Sequence, residues 1–328
     1  MATEVVTFGE AMVRLTPPGH QRLEQARTVD VYVGGAELNV AVGATRLGLA
    51  SRWVSRLTEN ALGRMIAGRA REQGVDVSVE WTPADRAGVY FVELGSSPRA
   101  ATVLYDRAGS AMSKVAPGAI DWTGPRAFEG ARWFHTSGVT PALSDSAAAT
   151  VADALAAAKK AGLTVSYDLN YRAKLWSVEK ARAVQEPLMR YVDVLIASEE
   201  TASAVFGVGE PEQLQERLGV RTIALTHREE SRAREWSQDY EALVRADGAV
   251  HRGPTFHLDI VDPIGAGDAF VAGLIFGKLR CNDWSKAVQY GTALAALKHT
   301  VPGDFSQATL EEVEALLRSG DDILRVKR

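Results

Sequence analysis

Asp259-Ile260-Val261-Asp262-Pro263-Ile264-Gly265-Ala266-Gly267-Asp268-Ala269-Phe270 is a strand end running straight into a helix. Pro263 has no N–H to give a ladder, so the strand must stop there. Gly265 and Gly267 permit a tight turn and let the backbone approach a ligand. The first N–H groups of the helix have no internal partner, and the positive end of its dipole lies beside them. Such an end accepts a phosphate or a developing phosphoryl charge. Asp268 falls in the first turn, where a carboxylate would repel that anion. Taking the proton from an attacking hydroxyl is a reason for it to be there; the plainer alternative is that it only stabilises the helix end.

Outward from this turn, short apolar strands alternate with helices. Strands are expected over 5–8, 53–57, 132–136, 164–169, 194–197 and 222–225, and helices over 62–73, 144–161, 178–191, 266–279, 284–299 and 310–317. A further helix opens at Gly34-Gly35, carries Val40, Ala44 and Leu47 on one face and stops at Gly48. This alternation predicts an α/β fold, a mostly parallel sheet between two helical layers. Four short β segments, 12–15, 29–33, 89–94 and 102–105, break the alternation and predict a small separate β-sheet lid. The division expected is a core of 1–11, 36–87 and 110–328 and a lid of 12–35 and 88–109.

Other readings are narrowed by composition. The 328 residues are 46% apolar and 24% charged, with 37 basic against 41 acidic side chains and a net charge of −4. No like-charge block suggests a nucleic-acid arm or a membrane patch. No run of about 18 apolar residues occurs, so no membrane span is expected. Cys281 is the single cysteine, and the N-terminal segment has no basic signal-peptide start, which reads as cytoplasmic. The six histidines show no paired metal-ligand spacing, and His135 reads as a satisfied core histidine. Gly273-Leu274-Ile275-Phe276-Gly277-Lys278 has only three residues between its glycines, followed by Leu279, so it is not a P-loop. No G-x-G-x-x-G follows the first strand, which argues against a dinucleotide-binding dehydrogenase.

The chain resembles the ribokinase-like (PfkB-type) carbohydrate kinases along nearly its whole length. The matching segments are Val6-Thr7-Phe8-Gly9-Glu10, Gly34-Gly35-Ala36-Glu37-Leu38-Asn39-Val40-Ala41, Asp168-Leu169-Asn170-Tyr171-Arg172, the 262–270 turn, and Lys298-His299-Thr300-Val301-Pro302-Gly303-Asp304-Phe305. The resemblance implies a three-layer core with a β lid, ATP as phosphoryl donor and Mg²⁺ as its partner. It implies Asp268 as catalytic base and the N–H groups of Gly265, Ala266 and Gly267 as an anion hole. Within the family the chain is most similar to kinases of 2-keto-3-deoxygluconate, which use positions like Gly35, Tyr90, Tyr105, Arg107 and Arg172 around the acid sugar. Gly34 belongs to the same glycine pair.

Chemistry supports an acid substrate, since the planar guanidinium fork suits a carboxylate. Tyr105 and Arg107 are two apart and share one strand face. Arg172 lies in the loop after the 164–169 strand, at the end where ligands bind in open parallel sheets; without the resemblance, either arginine reads equally as a structural ion pair. Asn39 suits a sugar hydroxyl or its own backbone, and Asp304 suits the sugar or its own turn. On the nucleotide side Asn170, Ser198, Thr226 and Arg228 are candidates. The family's N-x-x-E motif is replaced here by Ser198-Glu199-Glu200-Thr201, leaving Glu200 (or Glu199) to place Mg²⁺ through water. The run 227–236 reads as a solvated charged loop. The expectation is ATP-dependent phosphorylation of 2-keto-3-deoxygluconate at its terminal hydroxyl by a homo-oligomer paired through the lid. Rivals are a kinase for fructose or 2-keto-3-deoxygalactonate, and a sugar-binding regulator without catalysis.

Overall fold

The computed structural model describes residues 2–96, 98–230 and 237–319, without the side chains of 228–230, 237, 238 and 319. β1 (Val5–Phe8) leads into β2 (Met12–Thr16) and β3 (Asp30–Gly34), then α1 (Ala36–Arg46), β4 (Ser51–Thr58), α2 (Ala61–Glu72) and β5 (Asp76–Thr82). β6 (Val89–Glu93) and β7 (Thr102–Asp106) precede β8 (Trp133–Ser137), α3 (Asp145–Lys160), β9 (Thr164–Asp168) and α4 (Val178–Gln185). The chain continues through β10 (Val194–Ser198), α5 (Glu199–Phe206), α6 (Pro211–Leu218), β11 (Thr222–Glu230), β12 (Ser237–Ala246), β13 (Ala249–Arg252) and β14 (Phe256–Asp259). It closes with α7 (Ala266–Cys281), α8 (Trp284–His299) and α9 (Leu310–Ser319).

The main sheet runs β13-β12-β11-β10-β9-β8-β1-β4-β5, with β14 also paired to β12. β11 through β5 are mutually parallel, and β12, β13 and β14 add antiparallel pairs. Successive side chains of a strand face opposite ways, and the packing follows. Val5, Trp133, Val194 and Ile196 pack with α1, α7 and α8 on one face; Val6, Phe134, Leu195 and Ala197 pack with α3 and α5 on the other. This is the expected α/β sandwich, a ribokinase-like fold. The four irregular segments form a separate sheet, ordered β3-β2-β6-β7. Among the described residues no helix is long and apolar enough to cross a membrane.

Local chemistry sets several boundaries. Ser144 caps α3 by accepting from Ala147 N at 3.0 Å. The helix expected over 178–191 stays α-helical only to Gln185 and tightens into a 3₁₀ segment, Glu186–Tyr191, where Pro187 removes a donor. The strand expected to reach Val261 stops at Asp259, because Val261 N and Asp262 N turn away to His299 O at 2.8 and 3.1 Å. Nor is the charged run at 227–236 simply a loop. His227–Glu230 extend β11, with Arg228 opposite Tyr240 and Glu230 opposite Gln238; 231–236 lie outside the described residues.

Gly273 and Gly277, the false P-loop, pack α7 on α8. A Cβ on Gly273 would lie 2.4 Å from Tyr290 O, and one on Gly277 2.6 Å from Ala287 Cα. The two helices therefore meet backbone to backbone. His135 is a buried core histidine, 2.8 Å from Ser166 Oγ, and burial pushes its pKa down to about 3.

Candidate active site

The C-terminal ends of β9, β10 and β11, the N-terminus of α7 and the inner side of the small sheet enclose a cavity of about 800 Å³. Its frame is a buried ion network. Arg14, on β2, is wholly buried and donates from Nη2 to Asp262 Oδ2 at 2.7 Å and from Nη1 to Asp304 Oδ2 at 2.9 Å. Its Nε donates to Thr16 Oγ1 at 2.8 Å, and the guanidinium lies 5.2 Å from the Tyr32 ring centre. Asp262 also accepts from Ile264 N at 3.1 Å and Gly303 N at 3.0 Å. Lys298 donates to the Asp262 and Val301 carbonyls, each at 3.1 Å. The turn before α7 and the 301–304 loop are thus tied to each other and to the small sheet.

Gly265, at φ +85, begins α7 in the left-handed region that favours glycine. A Cβ there would lie 2.0 Å from Asp304 O. Gly265 and Gly267 line the cavity, while the amide of Ala266 points back to Pro263 O at 3.3 Å. Asp268 accepts from Asn39 Nδ2 at 2.7 Å, and Asn39 Oδ1 accepts from Gly35 N at 3.3 Å. Asn39 therefore orients Asp268 while tying back to Gly35 at the start of its own helix. Loss of hydration is the strongest influence on Asp268 and raises its pKa to about 6, against the pull of Asn39 and Arg172. The same burial, with Asp268 nearby, raises Asp168 to about 7.

At the small-sheet side, Tyr90 and Tyr105 stand opposite each other in the β6–β7 register and stack at 5.8 Å. Tyr90 is buried and donates its hydroxyl to Asp304 Oδ1. Asp304 thus lines the cavity while its carboxylate is held by Arg14 and Tyr90. Gly34 has to be small here, because a Cβ would lie 2.0 Å from Asp304 Oδ1 and 2.5 Å from the Tyr90 hydroxyl. A Cβ on Gly35 would meet Glu10 O as closely, at 2.1 Å. Arg107 lies 5.6 Å from the Tyr105 ring centre and is ion-paired with Glu10, so the structural-pair alternative is realised while the residue still faces the cavity. Arg172 also lines the cavity and is exposed, donating to Tyr171 O at 3.3 Å.

The nucleotide-side candidates gather at the other end. Ser198 caps α5, accepting from Thr201 N at 3.1 Å and donating to Thr201 Oγ1 at 2.7 Å; the two ends of the altered N-x-x-E stretch thus satisfy each other. Glu199 lies 3.3 Å from His227, and Glu200 is exposed on the cavity wall with Thr226. The Arg228 side chain lies outside the described residues. Among the described residues no three His, Cys, Asp or Glu side chains form a metal-holding group. Asn170, held in the left-handed region at φ 36, lines the cavity, and its Oδ1 is buried with no partner among the described residues. With Asp168 and Glu200 it supplies hard oxygen donors around open space, a set that fits Mg²⁺ retaining several waters.

The fold and this cavity define a carbohydrate kinase: the chain belongs to the pfkB family of carbohydrate kinases, whose model matches residues 2–310. A 2-dehydro-3-deoxygalactonokinase of Haloferax volcanii is 41% identical, over 98% of each chain. A 2-dehydro-3-deoxygluconokinase of Thermoproteus tenax is 30% identical over 96% of this chain and 94% of its own. The crystal structure of a 2-dehydro-3-deoxygluconokinase of Thermotoga maritima is similar with a TM-score of 0.91 and 40% identity, covering 97% of this chain and 99% of that one.

Sequence reasoning passed over Arg14, Asp168 and Lys298 as site residues. For Arg14 a signal existed: it shares the inward face of β2 with Met12 and Thr16, and a charge on such a face needs a partner. We expect Arg14→Met to strand two buried carboxylates and lower stability by about 3–5 kcal/mol. Denaturant melting of both proteins measures it; a difference below about 1 kcal/mol, the level of a surface pair, would show that the network contributes little.

Proposed function

We propose that the protein transfers the γ-phosphoryl group of ATP to the terminal hydroxyl of a 2-keto-3-deoxy (2-dehydro-3-deoxy) sugar acid, with 2-keto-3-deoxygluconate as substrate. The observation that carries this reading is Asp268: a carboxylate fixed by Asn39 at the N-terminus of α7, facing the same cavity as Arg107, Tyr90 and Tyr105. The relatives named above support the sugar-acid class and divide between gluconate and galactonate. The galactonate reading is therefore the second one, on the strength of the 41% identical relative.

In this mechanism the sugar lies with its carboxylate toward Arg107 and Arg172 and its far hydroxyl toward Asp268. Gly34 and Gly35 let Asp304, Tyr90 and the Glu10 backbone close up as the wall behind it, and the Tyr90–Tyr105 stack closes over it. Asp268 takes the hydroxyl proton as the oxygen attacks phosphorus. The amide ends at Gly265 and Gly267 stabilise the charge on the transferring group, whereas the Ala266 amide, expected to join them, is turned to Pro263 O. Asn170, Asp168 and Glu200 would hold Mg²⁺, partly through water, and the metal would supply neutralising charge to the phosphates of ATP. Ser198 and Thr226 flank the nucleotide. We expect the reaction to run in the cytoplasm, where ATP and the free thiol of Cys281 both belong.

The small sheet leaves Val31 48% and Leu104 50% exposed on its outer strands β3 and β7, whose edges are open. We propose that a second copy covers them. Light scattering at micromolar concentration is expected to give a dimer or larger; a monomer would count against pairing.

A base must be ionised to act, so kcat/KM should fall as pH drops through about 6, the raised value of Asp268, rather than near the ordinary aspartate range. Asp268→Asn keeps the shape but cannot accept the proton, and turnover should drop by about 10²–10⁴-fold with sugar and ATP binding retained. Near wild-type turnover in this variant removes Asp268 from the chemistry.

The substrate is tested by coupled ADP release over 2-keto-3-deoxygluconate, its galactonate epimer and neutral hexoses including fructose. Arg107→Ala should weaken use of the acid by about 2–5 kcal/mol and of a neutral sugar far less. Equal losses on both would show that Arg107 only shapes the wall and would bring fructose-type substrates forward.

A further inference from the structure

Glu10 has no part in the mechanism above, yet it lies in the cavity wall, between the end of β1 and the start of β2, with its side chain 3% exposed. Its Oε2 accepts from Arg107 Nε at 2.9 Å and from Arg107 Nη2, and its Oε1 accepts from Ser110 Oγ. One side of the guanidinium is therefore taken up within the protein. Nη1 makes no bond among the described residues, which leaves the Nη1/Nη2 end to a ligand. A sugar carboxylate arriving there meets a cation whose charge is already balanced by a buried anion.

We propose that Glu10 is a positioning and specificity-determining residue: it fixes which end of Arg107 faces the sugar and weakens the hold of that arginine on a carboxylate. This rests on the sugar-acid reading above. The physical reason is simple. A carboxylate in a desolvated pocket is attracted strongly to a lone guanidinium and far less to a neutral ion pair. Phosphorylation leaves the acid end of the sugar unchanged, so whatever holds the substrate there holds the product equally. An undamped Arg107 would deepen both wells and slow release, a step that often limits turnover.

Glu10→Gln is the decisive variant. The amide oxygen still accepts from Arg107, and its NH₂ can donate to the Ser110 hydroxyl, so the hydrogen bonds survive while the charge is lost. The KM for the sugar acid should fall about tenfold, equivalent to 1.4 kcal/mol, with kcat level or lower and the KM for a neutral sugar nearly unchanged. Glu10→Ala removes both the charge and the hold, and its KM for the acid should lie about tenfold or more above that of Glu10→Gln. Thermal melting of both variants separates loss of folding from loss of binding, and the isosteric glutamine keeps the test open should the alanine variant not fold. A KM that is unchanged or raised for the acid in Glu10→Gln overturns the proposal and leaves Glu10 as a buttress. A wild-type protein that phosphorylates no sugar acid would instead refute the functional reading, which is a different result from the same assay.

Discussion

One arginine placed where no water reaches it constrains the site. Burying a guanidinium is costly unless anions meet it with good geometry, and Arg14 finds two, Asp262 and Asp304, each on a different loop. To satisfy that charge, β2 of the small sheet, the turn before α7 and the loop after α8 have to come together in one arrangement. The remaining acceptors of Asp262 are then filled by the backbone of Ile264 and Gly303, and Asp304 takes the Tyr90 hydroxyl from β6. The turn before α7 and the small-sheet wall of the cavity are thus set by a shared pair of carboxylates.

With the frame fixed, the site works by setting carboxylates against one another. Asp268 hinders the ionisation of Asp168, Asp304 hinders that of Asp268, and both Asp168 and Asp268 lose hydration. Arg172 pulls each back toward the charged form. A base poised close to neutrality is more useful than an ordinary aspartate, since a weak base accepts a hydroxyl proton poorly. Glu37, buried beneath them, is raised to about 7 chiefly by burial and accepts from Ser137 and Thr140.

Much of the fold was legible because it obeys local rules. β1, β8 and β10 read as apolar runs because both of their faces are covered, and α3 has its serine cap and alanine repeat in plain view. β5 was overlooked although Val77, Val79 and Trp81 alternate with polar residues, because it is an edge strand with a half-exposed face. The β12–β13 hairpin was also there to find: Asp247-Gly248 takes positive φ at both positions, as a two-residue hairpin turn requires. The candidate site was legible where the residues lie within one segment, as in 262–270 and 168–172. Pairings across the chain were not. Arg14 finds Asp262 and Asp304 across 248 and 290 positions, and Arg107 finds Glu10 across 97. Nothing local marks such partners, and only the folded chain shows that Arg107 arrives already paired.

The glycine contacts between α7 and α8 have a consequence for how such a protein can change over generations. Because those helices meet backbone to backbone, the residues at the head of α7 stand on a foundation that tolerates almost no displacement. The wall proposed to meet the acid end of the sugar is built from another part of the chain: β6, β7 and the link at residue 10. Substitutions there can alter which sugar fits without disturbing the machinery that moves phosphate. Descendants of one ancestral chain can therefore part ways over a single stereocentre while keeping the same chemistry, each drifting in its choice of substrate on a stationary engine.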